Sequence, residues 1–299
     1  MNMRSQNVAM LAGGALLLCA VHGGVNAHAE TLAPPGATLK HGDSALMRYV
    51  DTPEQRRKAT SARARLVKGC MKEFGFSEFS TQEASGNPPP LLSSRRYLYV
   101  SPADAARFGY GIDPATAKDF DKPKDAVRAA VPSEEQSVLL GQGLTSYKGK
   151  TVAPGGCVRQ ADGILRKNTP AADLLLPWKL MNQAAGMAAK DERVTSLVAA
   201  WASCIRGRGY AYQAPEQAWD DPRWRPARTA AGVSEEEKKA AVADMECKDQ
   251  VGYVDKLASV QNSYEKDLIR AHVDELEAIQ RNQEAFQRNA DIVMSGGRP

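Results

Sequence analysis

The chain contains 299 residues, and its 39 lysines and arginines against 35 aspartates and glutamates give a formal net charge of +4. This near balance, with no sustained basic block, argues against nucleic acid as a partner. Aromatic residues make up only 6% of the chain and alanine is frequent, a composition that favours helices over a β-sandwich. We therefore predict a mainly α-helical protein that binds no nucleic acid.

The first 29 residues have the order of a secretory signal peptide. Arg4 supplies a positive charge, residues 8–21 form an apolar run, and small residues lead to Ala29, where we expect cleavage. The run of about 14 residues is shorter than the roughly 20 that cross a membrane, which favours removal over anchoring. Cys19 follows Leu18, whereas a lipoprotein signal has Gly, Ala or Ser there, so lipidation is not favoured. We predict a secreted, extracellular or cell-wall-associated protein with no transmembrane span.

The processed chain begins with a flexible segment followed by a helix. Residues 30–44 contain paired prolines and two glycines with little apolar periodicity, which predicts a flexible N-terminus. Thr52 and Pro53 then supply the capping residue and the first-turn proline of a helix, and Gly75 ends it. The apolar spacing places Cys70 near the end of this helix, on its buried face.

Residues 80–156 form a loop-rich insert. A run of three prolines excludes a helix near its start, and residues 95–100 and 145–152 are typical of short extended strands. Ser101 and Ser133 each precede a short stretch with helical spacing. We expect two short helices within mostly irregular chain.

The next part of the chain returns to helical spacing. Residues 157–166 predict one helix, and the Thr169-Pro170 pair starts another, which Pro177 interrupts or restarts. Residues 178–207 contain no proline and predict one helix, or two joined near Asp191.

The last third of the chain carries the strongest helical pattern. Ser234 and Glu237 form a predicted capping box. An apolar seam with steps of three and four, and two consecutive fours around His272, contains Val254, Leu257, Tyr264, Leu268, Leu276, Ile279, Phe286, Ala290 and Val293. A continuous helix of about 60 residues would extend about 90 Å, longer than a compact domain of this size. We expect a break at Gly252, or a projecting coiled coil that forms a homo-oligomer, or an amphipathic helix that packs back along the domain.

The cysteines indicate a covalent framework. Removal of residues 1–29 leaves Cys70, Cys157, Cys204 and Cys247, and an even number in an exported chain is typical of two disulfides. Four cysteines allow three pairings, and buried thiols or a metal site are the alternatives. The chain has no Cys-x-x-Cys motif and no Cys/His cluster, so we predict neither a metal site nor a cofactor.

Two segments of the chain resemble each other. Residues 70–76 align without gaps on residues 204–210 as cysteine, large apolar residue, base, two variable positions, glycine and aromatic residue. The later cysteines, Cys157 and Cys247, share a Cys-x-x-Gln pattern. We interpret the pattern as a duplicated helix–turn–insert–helix unit, in which each unit closes its own disulfide between its first and second cysteine.

The predicted organisation has five parts, and the two disulfides stabilise the central ones. The parts are a signal peptide at 1–29, a flexible N-terminus at 30–44, a first helical and loop unit at 45–168, a second helical unit at 169–252, and an extension of the C-terminal helix with a short tail at 253–299. By chain-entropy reasoning each disulfide contributes about 4 kcal/mol to stability.

Few residues are available for catalysis. The processed chain keeps two histidines, His41 in the flexible segment and His272 on the long helix, which leaves no material for a Ser/His or Cys/His arrangement. The sequence also has no phosphate-binding glycine loop after a strand, no zinc-protease motif and no EF-hand loop. We predict no catalytic residue.

The best candidate surface lies between the third and fourth cysteines of the processed chain. Its residues are Tyr210, Tyr212, Glu216, Trp219, Asp220, Asp221, Arg223 and Trp224. Aromatic rings beside carboxylates and guanidinium groups can bind a sugar or a peptide, and a carboxylate pair can hydrolyse a glycoside. The alternative is that these aromatic residues fill a small core and the acids cap turns.

Several short motifs are spread over most of the processed chain. They are Cys70-Met71, Gly75-Phe76, Arg95-Arg96-Tyr97, Ala106, Gly109-Tyr110-Gly111, Gly155-Gly156-Cys157, Cys204 and Gly209-Tyr210-Ala211-Tyr212. In these motifs the chain resembles a group of exported actinobacterial proteins without an established activity, although Leu98 stands where we expect glycine. The resemblance implies an envelope or extracellular location in a Gram-positive host, and it implies no reaction.

These observations favour a non-enzymatic binding or structural protein, secreted or associated with the cell envelope. Its expected partner is an envelope or extracellular protein or a glycan. The alternative is a carboxylate-dependent hydrolase of cell-wall or extracellular polymers.

Overall fold

The computed structural model describes residues 44–79, 97–111, 133–224 and 232–299. The predicted signal peptide and residues 30–43 lie outside these ranges, as do parts of the first insert. The described helices are α1 Pro53–Glu73, α2 Pro102–Phe108, α3 Glu134–Leu140, α4 Gly156–Leu165, α5 Leu176–Ala188, α6 Glu192–Gly207, α7 Pro215–Trp219, α8 Glu235–Val251, α9 Tyr253–Ala271 and α10 Val273–Met294. The predicted mainly α-helical, disulfide-linked fold is confirmed.

The remaining regular structure is short. Two 3-10 helices cover Ala45–Tyr49 and Pro222–Trp224. The strands β1 (Ser146–Tyr147) and β2 (Lys150–Thr151) form an antiparallel hairpin in which Ser146 pairs with Thr151. The strand predicted at 145–152 is therefore a hairpin, and the described residues 97–100 of the other predicted strand are not in a sheet.

Helix starts follow the predicted caps in most cases. Thr52 accepts from Gln55 N–H, and the Gln55 side chain accepts from Thr52 N–H, which completes a capping box at α1. Ser101, Ser133 and Ser234 cap α2, α3 and α8 in the predicted places. Each cap satisfies an N–H group that the first turn of a helix leaves without a partner.

The prediction that a helix starts at Thr169 is wrong. Residues 169–175 are not helical, and α5 begins at Leu176 with Pro177 in its first turn. A proline there loses no helical hydrogen bond, since the first-turn N–H has no acceptor within the helix. Asp191 is the N-cap of α6, and its side chain accepts from Arg193 N–H. Residues 178–207 therefore form two helices, which is one of the two predicted outcomes.

The aligned segments 70–76 and 204–210 have the same helix end. Gly75 and Gly209 adopt φ angles of +93° and +90°, in the region that favours glycine. The next residue in each segment donates back across the turn, Phe76 N–H to Met71 O at 3.0 Å and Tyr210 N–H to Ile205 O at 3.2 Å. This is a Schellman cap, and the sequence alignment matches its bonds position by position.

Both predicted disulfide pairings are confirmed, Cys70 with Cys157 and Cys204 with Cys247. In each unit the glutamine three residues after the second cysteine places its amide oxygen near the Sγ of the first, at 3.1 Å and 3.4 Å. The units differ in where the second cysteine lies. Cys157 is the second residue of α4, whereas Cys247 is four residues before the end of α8. In the first unit most of the clamped helix, α4, therefore lies after the second cysteine. In the second unit most of the clamped helix, α8, lies before it.

The C-terminal helical run breaks twice and packs back on the domain. Gly252 adopts φ +64° and separates α8 from α9, which is one of the alternatives that the sequence left open, and His272 separates α9 from α10 at the consecutive steps of four. Helix α8 packs against α2, α6 and α7, helix α9 against α5 and α6, and helix α10 against α1 and α4. The seam residues Leu276, Ile279 and Ala290 are almost fully buried in these contacts. A homo-oligomer would therefore need a surface other than this seam.

The packing crosses the boundaries predicted at 168 and 252. Residues 97–111, from the first insert, lie against α8: Tyr99 Oη donates to Asp249 at 2.8 Å, and Tyr110 N–H donates to Glu237 Oε1 at 3.2 Å. Leu98, where we expect glycine, has a φ of +53°, in the region that favours glycine.

The start of the described chain is held by the middle of α9. The Ser44 hydroxyl donates to the buried Glu265 carboxylate at 2.6 Å, and Ala45 N–H donates to Asn262 Oδ1 at 3.1 Å. Ser44 itself is buried, so the last residue of the predicted flexible N-terminus is anchored to the domain.

Candidate partner-binding surface

The candidate residues lie on the connection between α6 and α8, which the second disulfide closes. Tyr210 follows the glycine cap of α6, and its ring stacks on that of Tyr212 with a centroid distance of 6.0 Å and an interplanar angle of 7°. Both rings are half-buried. The cap sets the direction of the chain as it leaves α6, and so it places the two tyrosines side by side.

Asp221 is held by its neighbours. It accepts from the Arg223 guanidinium at 2.7 Å and from the Tyr212 hydroxyl at 2.7 Å, and Arg223 also pairs with Glu236 at 2.6 Å. These hydrogen bonds from Arg223 hold the pKa of Asp221 well below its usual range. Burial, with the bond to Asp221, raises the pKa of Tyr212 to about 12. Neither group is suited to move a proton near neutral pH.

The two tryptophans of the candidate set face inward to different extents. Trp224 is 1% exposed and donates to Ala218 O at 2.8 Å, so it is a core residue and its assignment to the surface is corrected. Trp219 is half-buried, and its ring centroid lies 5.1 Å from that of Tyr110, which follows α2 in the chain. Glu216 and Asp220 are exposed. The structure thus separates the eight residues into core, ion-pair network and surface.

A buried charge pair lies behind this surface. Asp244 and Lys248 of α8 are 3.0 Å apart, and both side chains are fully buried. Trp201 donates to Asp244 at 2.9 Å, and the Lys248 ammonium also donates to Leu98 O. Burial raises the pKa of Asp244 and lowers the pKa of Lys248.

Aromatic rings complete the surroundings of the Lys248 ammonium. Its Nζ lies 5.8 Å from the ring centroid of Trp219 and 5.9 Å from that of Tyr253. Sequence reasoning missed this centre because Asp244 and Lys248, four residues apart on a charged helix, look like an ordinary exposed ion pair. The only sequence signal is the set of small and apolar residues around them, such as Ala241, Met245 and Cys247.

An open groove borders Tyr210. It has a volume of about 390 Å³ and lies between α2, the end of α6 and α8. Ala106, Val242 and Ala243 form apolar walls, and two ion pairs border it, Arg208 with Glu246 at 2.6 Å and Lys238 with Glu235 at 2.7 Å. Apolar walls with charges at the edges suit a ligand that has both an apolar face and polar groups.

Two further pockets flank the first disulfide. They have volumes of about 250 and 380 Å³, and both are lined by Cys70 and Gln160. None of the eight candidate residues lines either of them. Across the described ranges no three or more His, Cys, Asp or Glu side chains are grouped as metal ligands require.

Comparison of the chain with protein-family models, curated proteins and solved structures found no match. In the described part of the chain, no helix has the length and apolar character needed to cross a membrane. Two disulfides are typical of proteins from oxidising compartments.

Proposed function

We propose that this chain is an exported, non-enzymatic binding protein of the extracellular space or the cell envelope of a Gram-positive host. Its binding surface is the groove that Tyr210 lines, together with the half-buried rings of Tyr212 and Trp219. The partner is an extracellular or envelope protein or glycan.

The observation that carries the proposal is the stacked tyrosine pair beside a groove with apolar walls and charged edges. Aromatic rings on a rigid support bind planar or sugar groups at low entropic cost, because few side-chain torsions have to be fixed. The second disulfide and the glycine cap provide the rigid support. The engagement of Asp221 by Arg223 favours binding over acid–base catalysis at this surface.

The proposal is tested by crosslinking and pull-down from the native envelope with Tyr210→Ala and Lys239→Glu variants. Both residues line the groove. We expect each change to reduce capture of the partner that the wild-type protein retains. The matched control is Tyr147→Ala in the first unit, since Tyr147 is also half-buried and stacked, on Phe76 at 5.3 Å. Equal capture by all variants would contradict the proposal.

The carboxylate-dependent hydrolase is the alternative. Because Asp221 is engaged, the acid pair would have to be Glu216 and Asp220, the two exposed carboxylates of the set. Release of soluble fragments from cell-wall polymers by the wild-type protein, lost in Glu216→Gln or Asp220→Asn, would replace the binding proposal with the enzymatic one.

A further inference from the structure

The two disulfides differ in the helix ends at which their sulfurs lie. Cys157 is the second residue of α4. The other three cysteines, Cys70, Cys204 and Cys247, are each three or four residues before the last residue of a helix. The N-terminal end of a helix carries a partial positive charge that stabilises a thiolate, and the C-terminal end has the opposite effect. When a thiol breaks a disulfide, the more stable thiolate leaves faster, so Cys157 is the best leaving group of the four.

The start of α4 supports this assignment. Within the described part of the chain, α4 has no side-chain cap and no acid in its first turn, so no carboxylate competes for its positive end. The side chain of Arg159 packs on Gly155, the N-cap residue, where an added Cβ would lie 2.6 Å from the Cδ of Arg159. Arg159 and Cys157 also line the same pocket. A guanidinium beside this turn adds to the stabilisation of a Cys157 thiolate.

A pocket gives access to the other sulfur of this disulfide. The smaller of the two pockets that flank it, with a volume of about 250 Å³, is lined by Cys70 but not by Cys157. An attacking sulfur enters opposite the leaving one, so a thiol that expels Cys157 needs open space on the Cys70 side. Gly69 lines this pocket, and a Cβ added to it would meet nothing within 4 Å. The volume is below that of pockets for drug-sized ligands, which suits a small thiol.

We infer that the Cys70–Cys157 disulfide is an exchange site for a low-molecular-weight thiol. The thiolate of the small molecule attacks the Sγ of Cys70, and a new S–S bond forms between these two sulfurs. The bond between the cysteine sulfurs breaks, and its electron pair leaves with Cys157 as a thiolate at the start of α4. The product is a mixed disulfide on Cys70, and the thiol is the only co-reactant. The inference goes beyond the proposed partner groove and does not rest on it.

The exposure of the cysteines predicts the opposite order of reaction. Cys204 is partly exposed, whereas Cys70 is 8% exposed and the two remaining cysteines are almost fully buried. If exposure alone decided the rate, a thiol would open the Cys204–Cys247 disulfide first. The order of opening therefore distinguishes the effect of the helix ends and the pocket from the effect of exposure.

The test is partial reduction of the oxidised protein with β-mercaptoethanol, followed by acid quenching, alkylation and peptide mass mapping. We expect the first disulfide to open roughly tenfold faster than the second, because its leaving thiolate lies at a helix N-terminus. The early product should carry the β-mercaptoethanol adduct on Cys70 and the alkyl group on Cys157.

A matched pair of glycine variants tests the role of the pocket. Gly69→Leu fills the space beside Cys70 and should slow the opening of the first disulfide severalfold, while the second opens at the wild-type rate. Leucine is also the better helix former, so the change should not weaken α1. The control is Gly163→Leu in α4, since Gly163 is an exposed helical glycine with open space at its Cβ and lines neither pocket. It should react as the wild type does.

Two further variants complete the test. Arg159→Glu places an acid at the start of α4 and should slow the opening of the first disulfide only. Tyr210→Ala, which tests the partner groove, should leave both rates unchanged, so the two proposals can fail separately. Circular dichroism verifies that each variant is folded.

Three results would overturn the inference. The first is faster opening of the Cys204–Cys247 disulfide in the wild-type protein. The second is an early adduct on Cys157 instead of Cys70. The third is an equal rate of opening of the first disulfide in Gly69→Leu and Gly163→Leu, since the pocket would then not be the route of attack.

Discussion

The two disulfide units share a helix end but differ in what they bury. In both, a glycine cap follows the first cysteine, and a glutamine contacts its sulfur. The core beside Cys70 and Cys157 consists of apolar residues such as Met71, Val138 and Val152. The core beside Cys204 and Cys247 instead surrounds the ion pair between Asp244 and Lys248.

The difference follows from the placement of the second cysteine. Cys247 lies near the end of α8, so the preceding turns of α8 run past Trp201 and the segment 97–111, and Asp244 is brought into the core. Cys157 lies at the start of α4, and the turns beyond it pair with α1 at the surface, where Arg63 binds Asp162 at 2.7 Å. The charge pair near the second disulfide is therefore buried, and the charge pair near the first is exposed.

The largest expected effect comes from breaking the buried pair. Lys248→Met leaves Asp244 buried without its cation and should lower the free energy of unfolding by about 3 to 5 kcal/mol. Arg63→Met in the first unit should cost less than about 1 kcal/mol, because the Arg63 and Asp162 side chains are 46% and 40% exposed. Urea unfolding measures both.

A double variant distinguishes the effect of the buried charges on stability from the effect of the side-chain volume. Asp244→Asn/Lys248→Met keeps an acceptor for Trp201 and removes both charges, so it should be more stable than Lys248→Met alone. Equal losses in Lys248→Met and Arg63→Met would mean that the two pairs do not differ as their burial indicates.

Removal of each disulfide tests the units against each other. Cys70→Ala/Cys157→Ala and Cys204→Ala/Cys247→Ala open loops with separations of 87 and 43 residues, and each should lose about 4 kcal/mol, with the first loss slightly larger. Chemical unfolding under oxidising conditions gives both values. A loss confined to one unit would show that the other disulfide is not a stabilising link.

The glycine caps provide a matched pair with a smaller effect. Gly75→Ala and Gly209→Ala should each cost about 1 kcal/mol, because an alanine is strained at these positive φ angles. An added Cβ would lie 3.6 Å from Lys148 Nζ at Gly75 and within 4 Å of nothing at Gly209, so the cost is conformational in both. Thermal unfolding should give nearly equal shifts, and unequal shifts would argue against a shared cap.

The smallest effect is an acid sensitivity of the second unit. The lowered pKa of Asp221 means that its stabilising contribution is present above its ordinary value near 3.8 and is lost as pH falls through the folded-state pKa. Asp221→Asn should therefore be less stable than the wild type at neutral pH, and the difference should narrow below about pH 4. Asp220→Asn is the control at the neighbouring position. A stability difference between the wild type and Asp221→Asn that stays constant with pH would contradict the role given to Asp221.

Much of the local structure follows from the sequence because its causes act within a few residues. Thr52 and Ser234 accept from N–H groups three positions away. Gly75 and Gly252 adopt positive φ angles, which depends only on the residue at that position. The repeat between 70–76 and 204–210 also determined the disulfide pairing. The site was predicted less well: Trp224 belongs to the core and Asp221 accepts from Arg223 N–H in a turn, both as in the alternative interpretation, while the role of the remaining candidate residues stays a prediction.

By itself the sequence determined where most helices begin and end and predicted which cysteines pair, and it named Gly252 as the place where a break in the C-terminal run would fall. Only the tertiary structure decided that segment 97–111 packs on α8, that Asp244 and Lys248 are buried, and that α10 returns to α1. The physical reason is range. Caps and glycine turns are local, whereas burial depends on which distant segment covers a side chain, and no periodic pattern records that choice.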